Sequence, residues 1–168
     1  MSASDNILED KELFEYLGRA LYVCQLLEVN LAHVIKDLHL LSGKIKGNDL
    51  LESLQNLQKC LDSRLETSKG MLGKLIKELK KDLPKFVPLD DDHYHLIDKA
   101  LEKRNEIVHR FFYEHWIAMI VPVGRDVMIG DLKRIIRIIS EAYELSQKIH
   151  DELLAKMKLD TNSADNVC

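Results

Sequence analysis

The stretch Leu132-Lys-Arg-Ile-Ile-Arg-Ile-Ile-Ser-Glu-Ala142 decides the fold, because its apolar residues recur with the period of an α-helix. The pattern continues beyond this stretch and predicts a helix that begins at Val127 or Asp131 and ends near Leu159. One face of this helix is apolar and is expected to turn inward. Its members are Leu132, Ile135, Ile139, Ala142, Ile149 and Leu153.

The N-terminal part of the chain carries a second stripe with the same spacing. It predicts a helix from about Asp10 to Leu41, which Ser42-Gly43 should end. The expected inward residues are Leu17, Leu21, Cys24, Leu31, Ile35 and Leu38.

Three more helices are predicted between these two. Their expected bounds are about Asp49 to Leu65, Thr67 or Ser68 to Pro84, and Asp90–Asp92 to about Trp116. Residues 117–121 are expected to be extended, with a turn at Pro122 and Gly124. The fold class is therefore all-α, a bundle of about five helices. It should form one domain over residues 1–168, with its core at about 10–158 and a polar, frayed tail at 160–168.

Composition sets limits on function. The 168 residues are 46% hydrophobic and 31% charged, enough for one core in a soluble chain. A net charge of −4 argues against a protein that coats nucleic acid by charge alone, yet it leaves room for a local phosphate site. Cys24, Cys60 and Cys168 lack a close pairing and predict free thiols. The polar N-terminus and the lack of an apolar run of about 18 residues predict a cytoplasmic protein without membrane contact.

Polar residues interrupt two of the apolar stripes. The helix expected after Asp90 has an apolar line at Ile97, Leu101, Val108 and Phe111, and Arg104 occupies its missing step. A guanidinium on such a line is costly unless it is paired or faces a cleft. Asn105 and His109 are four residues apart and share a face. Arg104 and His109 diverge by about 140°, given ~100° per residue.

The first helix shows the same irregularity. Glu28 falls on the stripe of Cys24 and Leu31, and Gln25 lies beside it. A carboxylate in this place predicts a cationic partner, and Arg104 is the expected one. In the alternative interpretation, Glu28 and Arg104 form a purely structural ion pair and His109 is an ordinary surface histidine.

The segment Arg104-Asn-Glu-Ile-Val-His109 resembles the R-x(4–6)-H motif of HEPN-domain proteins, with the polar Asn105 directly after the arginine. The similarity covers most of residues 10–158, loosely outside the motif, and includes Gln25 and Glu28 in the first helix. It implies a metal-independent endoribonuclease without a cofactor, in which two motifs form one composite site across a homodimer.

The resemblance also implies roles. His109 would move a proton, Arg104 would hold the phosphate, Asn105 would position either group, and Gln25 and Glu28 would support them. The substrate would be RNA, and the biological role that of a toxin or phage-defence effector held by an antitoxin or defence partner protein. The alternative is a non-catalytic helical interaction module, an antitoxin-like or regulatory partner.

Two further patterns consist of basic residues and of histidines beside aspartates. Lys77 and Lys81, together with Arg110, predict contacts to an RNA backbone, against the alternative of a solvated basic face. His93 and His95 adjoin the aspartates at 90–92, but residues two apart diverge on a helix, so no metal site is predicted. These aspartates are expected to cap the helix instead.

Overall fold

The computed structural model describes residues 11–43 and 71–164, and long helices dominate them. These residues contain five α-helices and no strand, which confirms the all-α prediction. The helices are α1 (Lys11–Leu41), α2 (Met71–Asp82), α3 (Asp91–His109), α4 (Phe111–Glu114) and α5 (Pro122–Ala164), with 3₁₀ turns at Leu83–Lys85 and Ala118–Ile120. The helix predicted at 49–65 and the caps predicted at Thr67 or Ser68 lie outside the described residues.

The ends of α1 and α3 follow the predicted capping signals. The backbone N–H of Gly43 donates to the carbonyl of Leu40 across 3.1 Å, and its φ of 67° is the left-handed conformation that glycine adopts without strain. At the start of α3, the Asp90 carboxylate accepts the backbone N–H of His93 at 2.9 Å. Asp90 is therefore the N-cap of α3.

The described residues fall into two compact units. One unit contains 11–27 and 95–143, and the other contains 28–43, 71–94 and 144–164. Each has its own set of buried apolar side chains, such as Ile97, Leu132 and Ile139 in the first unit and Leu31, Leu79 and Leu153 in the second.

The predicted stripe of the last helix is confirmed, because all six of its members are buried. The stripe of α1 is confirmed at Cys24, Leu31, Ile35 and Leu38. It is wrong at Leu21, which is 39% exposed, because Ala20 takes the buried place on that turn. Among the described helices, none combines the length and apolar character needed to span a membrane.

The helix expected to reach Trp116 ends instead at His109. Arg110 leaves the helical conformation, with φ of −129° and ψ of −18°, and the short α4 starts at the next residue. No proline or glycine marks this break in the sequence. The side chain of His115 contacts the carbonyl oxygen of Phe111 through its Nδ1, and this contact stabilises the new turn.

The extended stretch expected at 117–121 is also wrong. Residues 118–120 form a 3₁₀ turn, and only Val121 has extended angles, with φ of −117° and ψ of 137°. The last helix begins at Pro122, earlier than predicted, since proline suits the first position of a helix. It continues to Ala164, so the first residues of the expected frayed tail are helical.

Candidate functional site

Arg104 lies on the buried line of α3 within the first unit. The buried positions of α3 are Ile97, Ala100 and Ile107, each at most 5% exposed, and the buried Phe111 follows in α4. Ala100 and Ile107 are seven residues apart, and Arg104 lies between them, four residues after the first and three before the second. The predicted members Leu101 and Val108 are wrong, because Leu101 is half-buried and Val108 is 38% exposed, and Ala100 and Ile107 take the buried positions instead. The interrupted line itself is present, and its interruption is Arg104.

Asn105 contacts Arg104 rather than only flanking it. Arg104 Nη1 donates to Asn105 Oδ1 across 3.2 Å, and both side chains are half-buried. This bond directs the amide oxygen of Asn105 to the guanidinium. The predicted role of Asn105 in positioning His109 or the phosphate stays a prediction. Lys103, directly before Arg104, donates to Glu106 across 2.5 Å, so these two charges pair with each other.

His109 is the last residue of α3, and its side chain is exposed. Arg110 follows it, also exposed, with its Nε 3.5 Å from the Glu114 carboxylate. The break at Arg110 therefore leaves His109 at a helix terminus that is open to solvent. An imidazole in such a place is accessible to a ligand.

His115 fixes the turn that follows the motif. Its ring stacks on Phe111 with centroids 4.5 Å apart. Nδ1 lies 2.9 Å from the Phe111 carbonyl oxygen, and Nε2 lies 2.9 Å from Asp131 Oδ2, a carboxylate that Arg134 also contacts. Burial disfavours the charged ring, but the Asp131 carboxylate and the Phe111 carbonyl outweigh it, so the pKa of His115 is raised. Both neighbours are acceptors, so the structure favours an imidazolium with two N–H donors.

The supporting residues fall in both units. Gln25 is exposed and belongs to the first unit, and Glu28 is half-buried and belongs to the second. The predicted pairing of Glu28 with Arg104 stays a prediction.

The basic residues of α2 belong to the second unit, and Lys77 and Lys81 are exposed there. Lys80 lies between these two lysines in the sequence, and its Nζ is 5.9 Å from the centroid of the Tyr94 ring. Lys85 Nζ lies 2.9 Å from the Asp82 carboxylate. Lys80 and Lys85 therefore make contacts within the second unit. The predicted RNA contacts of Lys77 and Lys81 stay a prediction.

The residues beside Asp90 serve the helix start. His93 Nδ1 lies 2.6 Å from the Asp90 carboxylate, in addition to the backbone bond to the same oxygen. Within 11–43 and 71–164, no group of three or more His, Cys, Asp or Glu side chains is arranged to hold a metal ion.

The second unit contains a polar cluster that the sequence did not predict. Asp37 on α1 is 1% exposed, and its carboxylate lies 2.6 Å from His150 Nδ1 on α5 and 3.1 Å from Lys36 Nζ. Neither the Asp37 oxygens nor His150 Nδ1 makes a hydrogen bond of normal geometry, so these contacts are electrostatic. His33 meets the His150 ring edge-on at 6.0 Å. Burial, Lys36 and His150 lower the pKa of His33, with Asp37 opposing them.

A hydrogen bond also joins α1 to α5 next to this cluster. Asn30 Nδ2 donates to the buried Ser146 hydroxyl across 2.7 Å. His150 and Asn30 also line an open cleft of about 370 Å³. The charged residues that line it are Glu144, Lys148 and Asp151, so acidic and basic groups are mixed there. The sequence signal for this cluster is the spacing of Asn30, His33 and Asp37, which places them along one face of α1. The spacing alone does not predict the cluster, because the partners of these residues are far away in the chain.

Comparisons with protein families, with curated proteins and with solved structures find no match to this chain.

Proposed function

We propose that the protein is a metal-independent endoribonuclease of the HEPN type, acting as a homodimer with a composite site. The position of Arg104 is the observation that carries the proposal. A cation interrupts a buried apolar line and is held by Asn105, one turn and a half before an exposed His109 at the helix end. A purely structural role would explain the arginine, but it would not require a solvent-exposed histidine at the neighbouring terminus.

Arg104 would bind the scissile phosphate. Its guanidinium is always charged and offers a planar set of N–H donors that suits phosphate oxygens. Partial burial strengthens such a contact, because little water competes for the same donors. The bond to Asn105 limits the rotation of the guanidinium before RNA arrives.

His109 would move the protons of the reaction. Histidine titrates near neutral pH, so its imidazole can accept a proton from the RNA 2′-hydroxyl or give one to the leaving 5′-oxygen. The 2′-oxygen attacks phosphorus, the bond to the 5′-oxygen breaks, and a 2′,3′-cyclic phosphate and a 5′-hydroxyl result. In the dimer, His109 of one copy would accept the proton of the 2′-hydroxyl, and His109 of the other copy would give a proton to the leaving 5′-oxygen.

The divergent directions of Arg104 and His109 favour a shared site. On one helix they differ by about 140°, given ~100° per residue. A two-fold axis near the end of α3 would place two of each around one phosphate. Such an enzyme fits a cytoplasmic toxin or phage-defence effector that an antitoxin or defence partner restrains.

Cleavage of a labelled RNA tests the proposal. We expect Arg104→Ala and His109→Ala to lower the rate by roughly 10²–10⁴-fold, the usual contribution of an acid–base group or oxyanion donor. His95→Ala is the matched control, because His95 is another exposed histidine of α3 and should keep the full rate. The same sequence made of DNA should resist cleavage, and EDTA should leave the rate on RNA unchanged.

Loss of activity in the control, cutting of DNA, or full activity of His109→Ala would each refute the proposed mechanism. Circular dichroism of each variant shows whether Arg104→Ala remains folded, which separates lost chemistry from lost structure.

A non-catalytic interaction module is the second candidate. The observation that favours it is the set of exposed apolar side chains after the motif, including Tyr113 at 81% and Trp116 at 59%. Under this alternative, wild-type protein does not cleave RNA, and Arg104→Ala changes only the stability of the fold.

A further inference from the structure

Exposed hydrophobic side chains concentrate in one short segment of the first unit. Within 16 residues, eight large apolar side chains are at least 39% exposed. They are Phe112, Tyr113, Trp116, Ile117, Met119, Val121, Val123 and Val127. Large exposed apolar patches on a protein surface mark interaction sites. We call this set the 112–127 face.

Two contacts hold the parts of the 112–127 face together. A Cβ added to Gly124 would lie 2.2 Å from the carbonyl oxygen of Ala118, so the first turn of α5 packs directly on the preceding 3₁₀ turn. His115 binds Asp131 of α5 and the carbonyl of Phe111. The residues on both sides of Val121 are therefore presented by a fixed backbone.

The 112–127 face has the area of a dimer contact. If the eight side chains share one side of the protein and each presents on the order of 150 Å² when fully exposed, their exposed fractions amount to roughly 700 Å². A standard protein interface covers about the same area on each partner.

The chemistry of the face favours a protein over RNA. Exposed aromatic rings can stack on bases, but five of the eight side chains are aliphatic or methionine, which do not. His115 pairs with Asp131, and the other charged residues at 110–127 are Arg110, Glu114, Arg125 and Asp126, two of each sign. RNA binding is favoured by an excess of positive charge, whereas balanced charge suits a two-fold contact, in which opposite signs on identical surfaces can face each other.

We propose that the 112–127 face is the contact between two copies of this chain. The inference rests on the proposed function, since the composite site needs a dimer, and it names the surface that forms it. His109 and Arg110 directly precede the face in the chain. A two-fold axis through the face therefore brings the two motifs to the edge of one interface.

Sedimentation velocity and light scattering at 1–100 μM test the contact. We expect a wild-type dimer, and Val123→Glu should raise its dissociation constant at least 100-fold, because a buried carboxylate would lack a partner. Val29→Glu is the matched control, since Val29 is 50% exposed on α1 and Val123 is 74% exposed. Ile117→Glu provides a second variant on another part of the face. A wild-type monomer at 100 μM, or an unchanged dimer in both face variants, would overturn the inference.

Binding of a fluorescent single-stranded RNA tests the competing possibility that the 112–127 face binds RNA rather than a second copy of the chain. If Val123→Glu remains dimeric and Tyr113→Ser lowers RNA affinity at least 10-fold, the face binds RNA and the inference fails. The proposed function fails separately if the dimer depends on Val123 but RNA cleavage does not depend on His109. Loss of both dimer and cleavage in Val123→Glu supports the interface and the composite site together.

Discussion

Replacing His115 with glutamine should destabilise the protein more at acidic than at alkaline pH. The imidazole is 14% exposed, its Nε2 lies 2.9 Å from Asp131, and its Nδ1 lies 2.9 Å from the Phe111 carbonyl. A hydrogen bond to a charged group contributes about 1.5–3 kcal/mol. We therefore expect the free energy of unfolding to fall by about 2 kcal/mol at pH 5.5, and Tm to fall by roughly 4–8 °C.

The pH dependence follows from the raised pKa of His115. Because the pKa is higher in the folded state than the ordinary 6.5 of the unfolded chain, folding favours the charged ring. This stabilisation is complete at pH values below 6.5 and is lost as the pH rises through the folded-state pKa. At alkaline pH the neutral ring keeps at most a weaker bond, so the difference between the two proteins should shrink to less than about 1 kcal/mol.

Urea unfolding at pH 5.5, 7.0 and 8.5 measures this difference directly. His95→Gln is the matched control, because His95 is exposed on α3, and its substitution should leave stability nearly unchanged at each pH. Asp131→Asn should reproduce the loss seen in His115→Gln at pH 5.5. A difference between wild type and His115→Gln that is constant with pH, or that grows toward pH 8.5, would refute the reasoning.

Four other substitutions test the packing of a glycine, a helix cap and a buried polar contact, each by thermal or urea unfolding. Gly124→Ala should lose about 1–3 kcal/mol because the new methyl group meets backbone, whereas Gly130→Ala, with open space around it, should lose nothing and gain up to ~1 kcal/mol. Asp90→Ala should lose about 1 kcal/mol with the helix cap, and an unchanged Tm would contradict the capping role. His150→Ala should lose roughly 3 kcal/mol because it leaves the buried Asp37 carboxylate with a weaker set of partners, while a loss below about 1 kcal/mol would show that Lys36 alone suffices.

Helical periodicity predicted the long helices well because their apolar stripes are regular and buried. The stripe from Leu132 to Leu153 is correct at every position. The break at Arg110 could not be predicted, since no local residue disfavours a helix there. It depends on His115 and Asp131, which meet only when the chain has folded. Pro122 was a readable signal, because proline marks a helix start as well as a turn.

The candidate site was predictable only where a polar residue interrupted a pattern. Arg104 stood out because its charge occupies an apolar line, and the structure places it there. Asp37 also lies among buried residues of its helix, but its partner His150 belongs to another helix over 100 positions away. A periodicity argument treats one helix at a time, so it detects the interruption and not the contact that compensates it.

The chain passes between the two units at three places, and each crossing lies inside a helix: α1, α3 or α5. There is thus no linker at which a gene for one unit alone could begin or end. A fragment cut at any crossing would expose as many as four unpaired backbone groups on each new helix end. Separating the two units would therefore break α1, α3 and α5, so neither unit can be produced alone with its helices intact.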